Sequence, residues 1–162
     1  MSAVISKCGR YRYALTRAWS TEGGSVTFIG VNPSTADACT DDATVRKWRG
    51  FATRWGFGSF RVANLFSYRA TNVKELASVD DPVGPLNDDF LFASFGDAEL
   101  IVPCWGDRGK LPRTLWPRID AVRSMLRRVT IAPIHCLGLT AGGDPKHPLM
   151  LGYSTERREW IP

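Results

Sequence analysis

An α/β fold, a three-layer αβα sandwich with a mostly parallel central sheet, is the architecture this chain predicts, and three observations carry it. Short apolar runs near residues 26–31, 60–66, 100–105 and 134–139 alternate with amphipathic stretches at 40–56, 86–95 and 113–129, the rhythm of strand and helix that builds parallel sheets. The run Val26-Thr27-Phe28-Ile29-Gly30-Val31 is apolar on both of its alternating faces, as a strand covered on two sides must be. The chain of 162 residues has the length of one domain, 1–162, enough for a real core and too little for two ordinary ones.

Each element follows from local chemistry. Residues 11–19 alternate large and polar side chains and run into Thr21-Glu22-Gly23-Gly24, so they predict an edge strand joined by a hairpin to the strand after it. That strand stops at Asn32-Pro33, because proline supplies no N–H to a ladder. The polar turn of Asn32, Ser34, Thr35 and Asp37 is thereby mounted on its carboxyl end, where open α/β sheets bind ligands. Val45, Trp48, Phe51, Ala52 and Trp55 recur at helical spacing, predicting a helix closed by Gly56 with Thr40 or Asp41 as its N-cap. A second strand over 60–66 completes a right-handed βαβ unit. A short helix at 73–77 precedes a helix over 86–95 with Leu86, Phe90, Leu91 and Phe95 inward. After the third strand, 100–105, the segment 113–129 has the apolar stripe Leu115, Ile119, Val122, Met125, Leu126 and Val129, with Pro117 in the first turn where proline is tolerated. A fourth strand over 134–139 leads into the turn-rich loop 140–149.

Composition narrows the partners. The net charge is +5 with a pI near 9.3, and Arg108, Lys110, Arg113, Arg118, Arg123, Arg127 and Arg128 face only Asp107 and Asp120 in one tract. Such an excess points to a polyanion, with a solvated helix face as the alternative. No apolar run is long enough for a signal peptide or a membrane span, so a cytoplasmic protein is expected. The four cysteines show no C-x-x-C spacing and read as small buried hydrophobes in a reducing compartment, convergence on an iron–sulfur cluster being the alternative. With two histidines, no H-E-x-x-H, no P-loop and no G-x-G-x-x-G, no metal or cofactor is expected.

Strand ends deliver Asn32 with Asp37, then Asn64, then Trp105 to Arg108, then His147 to one rim, outlining a single cleft. Gly30-Val31-Asn32-Pro33-Ser34 resembles the first motif of the uracil-DNA-glycosylase superfamily, nearest the G-I-N-P-G form of its mismatch-specific branch. Val62-Ala63-Asn64-Leu65 is similar to the strand that ends in that superfamily's base-reading asparagine, and His147-Pro148-Leu149 to its H-P-S loop. The chain as a whole, through its N-P-S-T-A-D, D-D-A-T, N-L-F-S-Y-R-A-T and G-D-P-K-H-P-L segments, also resembles a bacterial and phage family of unknown function, DUF1643.

The glycosylase resemblance implies a uracil-DNA-glycosylase-like fold, DNA as partner, and hydrolysis of an N-glycosidic bond through an oxocarbenium-like sugar. Asn32 would position the water, and Asp37, Asp41 or Asp42 would accept its proton, with the Asp41–Asp42 pair preferred. His147 would donate to the base or steady a phosphate, and Asn64 would read the Watson–Crick edge. Ser34 and Thr35 would line the base pocket, Phe66, Tyr68 and Trp105 would stack on the base, and Arg108, Lys110, Arg127, Arg128 and Lys146 would meet the DNA. The strict uracil-excising branch carries a bulky Tyr soon after the motif proline, whereas this chain has Ser34-Thr35-Ala36. The expected substrate is therefore a modified pyrimidine in duplex DNA, flipped out and excised to leave an abasic site in repair or antiphage defence. Leu149 departs from the family's Ser at the loop that meets phosphate. The rival expectations are a nucleoside- or nucleotide-modifying transferase or hydrolase, and a non-catalytic reader of modified DNA.

Overall fold

The computed structural model describes residues 2–33, 40–129 and 132–162. In chain order the strands are β1 (Ser2–Ile5), β2 (Arg12–Ala18), β3 (Ser25–Gly30), β4 (Ser59–Asn64), β5 (Leu100–Pro103), β6 (His135–Cys136) and β7 (Arg158–Glu159). The helices are α1 (Ala43–Arg54), α2 (Asn87–Gly96) and α3 (Trp116–Leu126), with short 3-10 turns such as Val73–Ser78 and Pro148–Met150 between them. Among the described residues no helix is long and apolar enough to cross a membrane.

The fold is α/β, but its five-stranded sheet is mixed rather than mostly parallel. Its order is β1-β2-β4-β3-β5. β3 pairs in parallel with β4 and β5, whereas β2 pairs antiparallel with both β1 and β4. The expected hairpin between the first long strand and β3 is split, because β4 lies between its two arms. Phe60 and Val62 of β4 are fully buried against α1 from that inner position. The chain crosses past the start of β4, where the N–H groups of Trp19 and Ser20 reach the Gly58 carbonyl at 3.0 and 3.1 Å. The fourth strand shrinks to the two residues of β6, which pair with β7 and touch the main sheet through one parallel bridge, Ile101 to Ile134.

Alternation along the inner strands separates two cores. Val26, Phe28, Phe60 and Val62 face Val45, Trp48, Phe51 and Ala52 of α1. Ile29, Ala63 and Ile101 face the other way, onto Leu91 and Phe95 of α2 and Ile119, Val122 and Leu126 of α3. The helix after β3 starts slightly later than expected: Asp42, not Thr40 or Asp41, is the N-cap, accepting from the Val45 N–H at 2.8 Å. Leu86, expected inward, precedes α2 and is exposed, while Leu91 and Phe95 take the inward positions. Of the cysteines, Cys104 and Cys136 are buried as expected, whereas Cys8 is exposed between β1 and β2.

Asn87 and Arg118, the latter expected only as part of the basic tract, fix the end of β4. The buried Asn87 donates through Nδ2 to the carbonyls of Asn64 and Leu65 at 3.1 and 3.0 Å, and Arg118 Nε donates to the Leu65 carbonyl at 2.7 Å. Carbonyls left over where the chain quits the sheet thus find partners on α2 and α3.

Candidate functional site

The order β4-β3-β5 makes β3 a switch point, since the chain leaves it toward one neighbour and comes back on its other side. A cleft of about 620 Å³ opens at the carboxyl ends of β3 and β5, of a size that takes a small organic ligand. Gly30, Val31 and Asn32 line it from β3, Asp42 and Trp48 from the start of α1, Trp105 and Lys110 from the segment after β5, and Lys146 and His147 from the loop after β6.

Asn32 is held in one orientation. Its Nδ2 donates to the carbonyls of Pro33 and Ala70 at 2.9 and 2.7 Å, so both amide protons are used and the side-chain oxygen stays the acceptor. Asp42 carries a carboxylate into the lining while one oxygen caps α1. His147 accepts the Leu149 N–H through Nδ1 at 3.3 Å, which in the neutral ring puts the proton on Nε2. Burial and then the Lys110 charge lower the imidazole pKa, against a smaller opposing pull from Asp42, so the ring is neutral at neutral pH and Nε2–H is a donor.

The loop bearing His147 is clamped from beneath. Asp144 is fully buried and takes the Arg108 guanidinium through Nε and Nη2 at 3.0 Å each, together with the Arg108 N–H at 3.1 Å. The Gly106 N–H donates to the Pro145 carbonyl at 2.8 Å. Gly106 has φ +83°, a backbone conformation that favours glycine, and an added Cβ would stand 3.2 Å from His147 Cβ. Opposite, Trp48 Nε1 donates to the Cys104 sulfur at 3.3 Å, and burial pushes that thiol up to about 12, which removes it as a nucleophile.

The structure brings Asn32, Asp42, Trp105, Lys110, Lys146 and His147 to this one cleft and puts Asp41, Asn64, Phe66, Tyr68, Arg108, Arg127 and Arg128 outside its lining. Asn64 lies at the end of β4, on the far side of β3 from β5, 2% exposed and outside the lining. Its amide rests behind Gly30, where an added Cβ would stand 2.9 Å from Oδ1, and neither amide atom has a partner among the described residues. Phe66 is 1% exposed in the core beside α2 and α3, so it offers no face for stacking. Asp41 is committed to the buried Arg17 at 2.7 Å, which leaves Asp42 alone of the pair at the lining. Arg108 serves Asp144 and Asp120, and Arg127 and Arg128 lie at the end of α3, with Arg127 donating to the Pro162 carbonyl at 2.7 Å. Ser34, Thr35, Asp37 and Cys39 lie outside the described residues.

Asp107, in the expected stretch from Trp105 to Arg108, lines the cleft, and so do Arg12 and Trp48, which were not expected there. Trp48 carries only a core signal, being one of the apolar positions of α1. Arg12 carries none, because in an alternating strand it reads as an outward polar residue.

Fold and cleft together define an α/β protein with a concave cleft at its switch point, lined by an oriented amide, a carboxylate, a neutral imidazole and lysines. The chain belongs to the family described as Protein of unknown function (DUF1643), whose model matches residues 12–149. No curated protein and no solved structure matches it.

Proposed function

We propose that this cleft receives a pyrimidine nucleotide turned out of DNA and hydrolyses its N-glycosidic bond, leaving an abasic site. The observation that carries the reading is the convergence of Asn32 and Asp42, from the two ends of the β3–α1 connection, with His147, from the distant loop after β6, on one cleft of nucleotide size. The resemblance of the Asn32-Pro33 and His147-Pro148 motifs to the uracil-DNA-glycosylase superfamily supports it, and helices on both faces of the sheet suit that superfamily's three-layer arrangement.

The chemistry divides among the residues. Asn32, its protons held by two carbonyls, offers its oxygen to the attacking water. Asp42 takes the proton of that water, and its negative charge favours the oxocarbenium-like sugar. His147 donates from Nε2 to the departing base, so that the base leaves without a full negative charge. Asn64 reads no edge from its place behind Gly30; that role passes to groups on the lining, and Trp105 supplies an aromatic wall. The sequence Ser34-Thr35-Ala36, where the strict uracil-excising branch has a bulky Tyr, is what favours a substituted pyrimidine, and a hydroxymethylated or glucosylated cytosine of phage DNA is the proposed substrate, in defence or repair.

The test uses duplexes carrying uracil, mismatched thymine, hydroxymethylcytosine and glucosylated hydroxymethylcytosine, incubated with the protein and then treated with alkali. Strand breaks at the substituted cytosines are expected. Intact strands on all four, together with intact modified phage DNA, would remove the hydrolase reading and leave a reader of modified DNA.

A further inference from the structure

The cleft has a cationic wall, and part of it is built by an irregularity in the sheet. Along β1 and β2 the register runs from Val4 opposite Ala14 to Ile5 opposite Arg12, so Tyr13 is an extra residue on β2. Leu15 and Arg17 face the α1 side, Leu15 packing with Phe51 and its neighbours and Arg17 binding Asp41. Unbroken alternation would put Tyr13 on that side and turn Arg12 away. With the bulge, Tyr13 instead stacks on Phe90 of α2 at 5.1 Å, and Arg12 turns into the cleft lining beside Asp42 and Trp48 while only 3% exposed. Bulges of this kind re-aim side chains next to functional sites.

Two further cations complete the wall. Lys110 and Lys146 line the same cleft, and among the described residues neither forms an ion pair. Asp42 and Asp107 share the lining, Asp42 capping α1 and Asp107 accepting the Gly109 N–H at 2.8 Å, and among the described residues three cations stand there against these two carboxylates. The neutral His147 adds an N–H donor to the same lining. Cations and N–H donors converging on one concave surface match the oxygens of a phosphate group.

We propose that Arg12, Lys110 and Lys146 form a phosphate subsite inside the cleft, holding the phosphate of the same nucleotide whose base the cleft receives. This rests on the nucleotide reading above but not on hydrolysis. The phosphate belongs either to a free nucleoside monophosphate or to a DNA strand, and the two sources are separable.

Titration calorimetry of the intact protein with thymidine and deoxycytidine, their 5′-monophosphates, and a short single-stranded oligonucleotide tests the subsite. The monophosphates are expected to bind about tenfold tighter than the nucleosides, as charge-assisted contacts to a phosphate imply. Lys110→Gln and Lys146→Gln, both at exposed positions that the fold does not need, are each expected to reduce that preference about threefold or more, with nucleoside affinity unchanged. A preference confined to the oligonucleotide, and lost in both lysine variants, assigns the phosphate to a strand. Equal affinity for nucleoside and phosphate-bearing ligands, no binding of either, or a preference that both variants retain would overturn the subsite. Abasic-site formation by the same protein preparations on the modified duplexes above reports separately: phosphate preference without strand breaks there keeps the subsite and removes the hydrolase.

Discussion

Asp41 and Asp42, adjacent in sequence, do different work. Asp41 neutralises Arg17, whose side chain is 1% exposed, so Asp41→Asn should cost about 2 kcal/mol in urea unfolding, as a hydrogen bond to a buried charge does. Asp42→Asn should leave stability nearly unchanged, because Asn caps a helix as well as Asp does, while glycosidic cleavage falls about 100-fold through loss of the base. Equal effects of the two variants on both measurements would contradict the division. His147 adds a pH signature. Its folded pKa is lowered by burial and Lys110, so the unfolded chain takes up the proton first as pH falls. Stability is therefore complete above the ordinary imidazole range and declines as pH drops through it toward the lower folded value. His147→Asn, which can still accept the Leu149 N–H, should flatten unfolding free energy between pH 7 and pH 5, and an unaltered slope would show that the ring is not perturbed.

At the scale of elements, the cleft depends on how closely its segments approach. The Asp144–Arg108 pair fastens the His147 loop to the segment after β5. Asp144→Asn should destabilise the fold by about 3 kcal/mol, the usual result of breaking a buried pair, and should lower kcat in the fraction that stays folded. Gly30→Ala would force a methyl to within 2.9 Å of Asn64 Oδ1 and 3.4 Å of the Trp48 ring, costing about 2 kcal/mol as overpacking does and narrowing the cleft. Thermal unfolding and nucleotide binding measure the two consequences, and a variant with wild-type values for both would mean that β3 and β4 can shift apart. Elements differed in how plainly the sequence announced them. The spacing of Val45, Trp48, Phe51 and Ala52 is a local signal, and α1 forms where it predicts. The partner of β2 was not legible, since Gly23 and Gly24 mark only a turn and the residues that separate β2 from β3 arrive 35 positions later with Ser59.

Across the whole molecule, the basic tract keeps most of its charge. Arg108 and Arg118 pair with Asp144, Asp120 and Asp88, while among the described residues Arg113, Arg127 and Arg128 along the tract, and Lys110 and Lys146 beside the cleft, form no ion pair. With DNA at the cleft, the salt dependence of its affinity should weaken by about one counterion for each of Lys110→Gln and Lys146→Gln, and less for Arg127→Ala or Arg128→Ala, as the slope of log affinity against log salt measures. Larger changes from the two arginines would place the nucleic acid along α3.

By itself the sequence determined what depends on neighbours along the chain: the α/β rhythm, the doubly buried β3, the break at Pro33, α1 and the stripe of α3, and the residue types that can perform hydrolysis. Only the tertiary structure decided which strands lie side by side, and with that which strand ends share a cleft. Because β5 rather than β4 borders the open side of β3, Trp105 and His147 join Asn32 while Asn64 is shut behind Gly30. The register shift at Tyr13 likewise turns Arg12 from a surface position to the lining. Pairing, register and ion-pair choice are settled by contacts between residues far apart in sequence, and no local pattern encodes them.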